Sequence, residues 1–440
     1  MARTRSIKSE TALSSQTLSK DGFALDRQLR LPLTILSPAA FALALAWLAF
    51  EVGRYWGVAG PDIKYFWLAG EFWTAGLTPY EETFTARLIE ITDIEGGAGA
   101  WNYTPNWYFI SAGLAQMDLL TASRLWLVMN AVMLLAASAL NAAAFRPMNK
   151  NSAVLAPAAP VNRLAAILPL LVLFFLHGAY MGLSQPAEKT LELGQSSILI
   201  YFGLSLLVWS ISRERLYAGA AGLAIVMLKP QFGALIVTVL LFSAMGRRIT
   251  FVAAIVSILM ALPAFLVSQP FEIASDLLHN LGSYDGQIFN TAVSTTGLRN
   301  VVWTLGGDDL GMMGYQLMAL AFIACVAAFL YLRRGAPPRT VDMVMFAVAA
   351  AHVFAPYHYY DFVLMGVLIY FCASLRTASA LICMAAFLLI LRAGNLPNIP
   401  SLQGEGVMAY GGNLYMTLAA GVILIVMLLE LFREPAQPNA

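Results

Sequence analysis

Apolar residues dominate this chain in long runs broken by short polar stretches. The runs fall at 33–53, 105–118, 121–145, 162–181, 195–212, 216–228, 231–245, 249–268, 312–332, 341–355, 360–375, 378–392 and 411–432. Many are long enough as helices to cross a hydrocarbon core of about 30 Å. None shows the short period-two alternation of a membrane β-barrel. The pattern predicts an all-α polytopic membrane protein. Residues 1–32 are polar and lack the short basic, apolar and small-residue succession of a signal peptide. They read as a disordered cytoplasmic tail, and 433–440 as a second cytoplasmic tail. Between them, 33–432 reads as one transmembrane unit, with polar loops at 54–104 and 269–311.

Charge sets the orientation, because Lys and Arg in short loops favour the cytoplasm. Arg3, Arg5, Lys8, Lys20, Arg27 and Arg30 precede the first run, so that end is expected inside. Loop 54–104 is then outside. It is acidic, with Asp62, Glu71, Glu81, Glu82, Glu90, Asp93 and Glu95 against Arg54, Lys64 and Arg87. If 105–118 crossed, the basic groups Arg146/Lys150/Arg163, Arg213/Arg215, Arg247/Arg248 and Arg333/Arg334/Arg339 would all fall outside. A re-entrant or membrane-embedded 105–118 removes every one of these conflicts. That segment is short for a span and begins with Pro105, a helix-start residue. The expectation is twelve transmembrane helices, both termini cytoplasmic, and a bacterial-type plasma membrane. One outer face then collects Asp62, Tyr103, Gln195, Lys229, His279, Arg299, His358 and Asp361.

Composition agrees with the class: 59% hydrophobic, 12% charged, and a mean hydropathy of +0.71. A net charge of +1 argues against a nucleic-acid partner. Cys325, Cys372 and Cys383 lie inside apolar runs without metal-ligand spacing and read as small core residues. There is no Walker A, Rossmann or zincin motif, and no D-x-D that would hold a metal-nucleotide complex. No cofactor or metal is expected.

Several polar residues invite chemistry. Asp62 opens a helix expected at 63–75, with Tyr65, Phe66, Trp67, Phe72 and Trp73 beside it, lying along the interface. It reads as a general base at the membrane surface. Pro61-Asp62 is also good N-cap chemistry, and the two roles can coexist. The aromatics of 101–109, Tyr103 among them, could stack on a sugar or form an ordinary aromatic belt. Gly194-Gln195 offers an amide for a hydroxyl, or simply starts a helix. Lys229-Pro230-Gln231 joins two short apolar runs. A lysine at that depth is costly and suits a phosphate, unless it merely snorkels at a hairpin. His358 and Asp361, in APYHYYDF, could meet a phosphate or a sugar, or belong to a polar turn. Loop 269–311, with His279, Tyr284, Asp285, Arg299 and Trp303, is long enough to suggest function, and its one cation, Arg299, could contact a donor phosphate.

The ordered set D-x-x-x-F-W-L-A-G-x-x-W-x-x-G-x-x-P-Y, Y-T-P, G-Q, K-P-Q and P-Y-x-Y-Y-D resembles glycosyltransferase family 87, whose GT-C-fold enzymes use polyprenyl-phosphate-mannose. The similarity runs from about residue 33 to residue 375. The resemblance implies that Asp62 is the catalytic base. It also implies that Tyr103, Gln195, Lys229, Gln231, Arg299, His358, Asp361, Trp67 and Tyr80 lie on the substrate side. The family's Y-P-P stands here as Tyr103-Thr104-Pro105, a departure that bears on the local backbone. The implied partners are a polyprenyl-phosphate sugar, a glycolipid or glycan acceptor, and membrane lipid. The implied reaction is a single inverting displacement without a covalent intermediate or a metal. Two other readings stay open: a GT-C transferase of another lipid-phosphate sugar, and a transporter or flippase of a lipid-linked substrate.

Overall fold

The computed structural model describes residues 27–92, 99–144, 163–283, 285, 287–334 and 339–433. Arg3, Arg5, Lys8, Lys20, Asp93, Glu95, Arg146, Lys150, Tyr284 and the last residues of the C-terminal tail lie outside them. The architecture is all-α apart from one two-residue antiparallel pair, Ile399–Pro400 with Met408–Ala409. Five described helices are long and apolar enough to cross a membrane: Ile35–Tyr55, Leu119–Ala144, Ala244–Ala261, Gly311–Arg333 and Gly411–Phe432. Seven shorter apolar helices accompany them: Leu171–Leu183, Ser197–Ser212, Leu216–Val226, Pro230–Leu240, Thr340–Phe354, Tyr359–Ala373 and Thr377–Leu391. Together they match the segments read from hydropathy, with 105–118 set apart.

That segment forms one 3-10 turn, Pro105–Trp107, and a helix, Tyr108–Leu114. At 1.5 Å per residue the seven-residue helix rises only about 10 Å, a third of a hydrocarbon core. It packs beneath Pro61–Thr74. Thr104 adopts φ −70° and ψ 155°. A proline would take the same conformation, so the Y-T-P departure leaves the backbone path intact.

Other expectations need correction. The first helix begins at Arg27, inside the segment expected as a disordered tail. Both polar loops are structured, because backbone amides outside the apolar runs still pair most cheaply within helices. Residues 54–104 hold Pro61–Thr74 and Glu82–Thr92, and 269–311 holds Pro270–Ser283 and Leu298–Thr304. The helix Pro61–Thr74 buries one face within the protein. Ile63, Phe66, Leu68, Ala69, Gly70 and Trp73 are buried, and Phe66 stacks on Trp107 at 4.6 Å and 3°. Phe66 and Trp73 pack inside the protein, and Tyr65, Trp67 and Phe72 are half-buried. Cys372 and Cys383 are buried as expected, but Cys325 is exposed on the outward side of Gly311–Arg334.

The centre of the bundle is Thr340–Phe354, buried from Asp342 through His352, with Ser197–Ser212 beside it. The bundle has two unlike ends. At one, Arg213 donates to the Ala143 carbonyl, Arg333 to Phe432, and Arg376 pairs with Glu430. At the other, Arg392 pairs with Glu188 at 2.7 Å and Trp126 Nε1 donates to Gly194. The candidate residues lie at this second end.

Candidate active site

Three chain breaks build the site. Asp62 stands in the first turn of Pro61–Thr74, behind Pro61. The N-cap is Gly60 and makes no side-chain cap bond, so the expected capping role of Asp62 is not realised; the proline shifts the acid one position inward. Gly194 ends the helix Gln185–Leu193 at φ +73°, and a Cβ there would stand 2.9 Å from the Ile63 side chain. This close, left-handed passage sets Gln195 against Asp62. Lys229 lies between Leu216–Val226 and Pro230–Leu240 at φ −114° and ψ 83°, outside the helical region that a residue before proline avoids.

Lys229, 5% exposed, forms an ion pair with Asp361, 1% exposed. Asp361 also accepts from Ser197 Oγ at 2.5 Å and from the His358 amide at 3.3 Å. The Lys229 ammonium sits 5.6 Å over the Tyr360 ring. Tyr360 takes a bond from Gln195 Nε2 at 3.0 Å and stacks on His358 at 5.1 Å. His352 is spent on two carbonyls, Val348 at 2.8 Å and Asp361 at 3.1 Å. Gln195 also hydrogen-bonds Asp62.

Asp62 keeps an opening to the outside yet lies among closely packed atoms. That burial pushes its carboxyl up to about 7. Lys229 and the Gln195 bond pull it down, and the Asp361 charge adds to the rise. Burial likewise pushes His358 down to about 4, against the pull of Asp361.

The structure thus brings Asp62, Gln195, Lys229, His358 and Asp361 into one connected group. It does not bring in the rest. Trp67 donates to the Met117 carbonyl at 2.9 Å, and Tyr80 to the Tyr103 carbonyl at 2.6 Å. Tyr103 sits within the aromatic stack, 5.3 Å from Trp107. Their rings are occupied by packing. The Gln231 carbonyl accepts from Gln316, in the first turn after Lys229. His279 is exposed on Pro270–Ser283. Arg299, expected as a phosphate contact, is 3% exposed and already saturated: Asp309 binds it in bidentate fashion at 3.0 and 2.6 Å, and Asp285 at 2.6 Å. A guanidinium neutralised by two carboxylates has no free face for an anion.

Sequence reasoning gave no role to Ser197, Tyr360, His352 or Asn290. Ser197 closely follows Gly194-Gln195 and Tyr360 stands within P-Y-x-Y-Y-D, so both could have been assigned one. His352 looks like any polar residue of an apolar helix, and Asn290 carries no sequence signal.

The arrangement supports a specific chemistry. A carboxylate with a near-neutral pKa can take a proton at ordinary pH. The ammonium beside it suits an anion.

No curated protein matches the chain in sequence. Residues 101–356, more than half of the chain, match the family model of glycosyltransferase family 87; Asp62 lies ahead of the matched stretch. The chain belongs to glycosyltransferase family 87 and is a membrane glycosyltransferase.

Proposed function

We propose that this protein transfers a hexose, mannose in the first instance, from a polyprenyl-phosphate sugar to an acceptor hydroxyl. The transfer takes place on the extracytoplasmic side of the membrane. Asp62 is the general base. It removes the hydroxyl proton as the acceptor oxygen bonds to the anomeric carbon. The bond from that carbon to the phosphate oxygen breaks, and the electron pair leaves with the lipid phosphate. Lys229 stabilises the negative charge gathering there, and the His358 ring borders it. One displacement inverts the anomeric centre, so a β-linked donor yields an α-linked product. The Lys229 ammonium is held by Asp361. An incoming phosphate competes for it with one of the lone pairs on Asp361.

The observation that carries this reading is the placing of the Asp62 carboxyl, packed against Gln195 and beside the buried Lys229–Asp361 pair. The test is a membrane preparation given labelled polyprenyl-phosphate-mannose. Asp62→Asn should express normally and transfer about 10²–10⁴-fold more slowly. Undiminished transfer by the variant would refute the assigned base. Unlabelled polyprenyl-phosphate glucose or arabinose that competes while mannose is not consumed would change the sugar and keep the mechanism.

The basic end of the bundle, where Arg213, Arg333 and Arg376 lie, supports an extracytoplasmic site at the opposite end. A reporter at Pro270 should read extracytoplasmic and one at Gly335 cytoplasmic. The reverse pattern would put the site inside.

A further inference from the structure

We propose that Asn290, clamped by Arg299, is a positioning residue that fixes the ring plane and the protonated nitrogen of His358. The inference rests on the reading of His358 as a group that lines the donor's place beside Lys229. It assigns to the 269–311 segment a task other than binding substrate.

The clamp is built from the outside inward. Asp309 and Asp285 hold the buried Arg299 guanidinium. Arg299 Nη1 donates to the Asn290 carbonyl at 2.6 Å. Asn290 is itself 2% exposed. Its Nδ2 donates to Gln287 Oε1 at 3.0 Å, which leaves Oδ1 facing His358 Nε2 at 3.1 Å. An amide oxygen only accepts, so Nε2 carries the proton. The same stretch is stitched to the His358 segment by backbone. Thr296 N and Oγ1 both donate to the Tyr357 carbonyl, at 2.6 and 2.8 Å. Gly297 turns at φ +85°, where a Cβ would come 2.5 Å from the Ala355 carbonyl. No larger residue passes there without displacing the chain.

These contacts form one continuous line. Asp285 and Asp309 hold Arg299, Arg299 holds Asn290, and Asn290 holds His358. His358 stacks on Tyr360 and donates its amide to Asp361, the partner of Lys229. An exposed ion pair would contribute little to such a line. A buried bidentate guanidinium has one geometry, and it transmits that geometry through the Asn290 backbone. The groups that face the imidazole are Asn290 Oδ1, the Ser294 carbonyl, the Asp361 carboxylate, the Tyr360 ring and, at longer range, Lys229. The acceptors and Asp361 favour the charged ring; burial and Lys229 oppose it. The imidazole is therefore held neutral with its proton already directed.

The chain has four histidines, so ¹³Cε1-histidine labelling gives four signals, and loss of one in His358→Gln assigns it. The experiment titrates that signal in the full-length protein in nanodiscs, without substrate. Asn290→Asp keeps the shape and adds a charge, and should raise the His358 midpoint by about one pH unit, a tenfold gain in proton affinity. Arg299→Gln should move the midpoint toward the ordinary histidine value and raise the donor KM about tenfold with a smaller change in kcat. A His358 midpoint unmoved by Asn290→Asp overturns the proposal, and so does an Arg299→Gln variant with unchanged midpoint and KM. If Arg299→Gln fails to fold, Asn290→Asp alone decides. The titration needs no turnover, so failure of the Asp62 assignment would leave its outcome intact.

Discussion

Two aspartates of this site sit a few side chains apart and are treated in opposite ways. Asp361 is neutralised on all sides, by Lys229, Ser197 and the His358 amide, and is 1% exposed. Asp62 keeps access to the outside, takes only the Gln195 amide among the described residues, and has its carboxyl raised by burial to about 7. The first arrangement is what a fold needs in order to bury a charge. The second is what a base needs in order to change its protonation. Asp361 therefore reads as architecture for Lys229, and Asp62 as the reacting group.

Exchanging the demands on the two acids breaks the contrast most sharply. Asp62→Asn should lower transfer about 10²–10⁴-fold, and leave thermal unfolding in detergent unchanged. Asp361→Asn should do the reverse first. It leaves a buried lysine without its partner, and a loss of about 3–5 kcal/mol should appear as a lower melting temperature. The double variant Asp361→Asn, Lys229→Met should recover much of that stability while transfer stays low. Equal melting temperatures for the two single variants would end the distinction.

Acidity sharpens the comparison next. The active form of Asp62 is the carboxylate, and its raised pKa means that the proton is bound below about 7. Transfer should fall tenfold per unit as pH drops below that value and level off above it, provided the donor and fold are intact. A flat profile from pH 5 to 8 would mean that another group accepts the proton. The smallest effect is expected at Gln195. Gln195→Leu removes a bond that favours the carboxylate, so the inflection should move upward by roughly half a unit. A downward move would contradict the bond.

The helical segments were legible because hydrocarbon leaves a chain few alternatives: a 15–25-residue apolar run must pair its own backbone, and only a helix does so. The short, proline-led 105–118 was legible as an exception for the same reason. The cluster was legible in part. Asp62, Lys229 and Asp361 stood out because a charge in an apolar chain is expensive wherever it lies. Arg299 stood out equally and misled, since its two neutralising acids come from positions 285 and 309, at distances along the chain that no local pattern connects. Tyr80, Tyr103 and Trp67 misled in another way. An aromatic ring is equally fit to meet a sugar or to pack within the protein; here Tyr80 and Tyr103 meet Trp73 and Trp107, and Trp67 bonds the Met117 carbonyl.

The amino-acid sequence by itself determined the class, the helical runs, the two unlike ends and the family, because each follows from hydrophobicity, charge or motif order along the chain. Only the tertiary structure decided which polar residues meet. It paired Lys229 with Asp361 across 132 residues, set Gln195 on Tyr360 across 165, and spent Arg299 on its own loop. Pairing is a matter of proximity and desolvation, and both arise only when the helices pack.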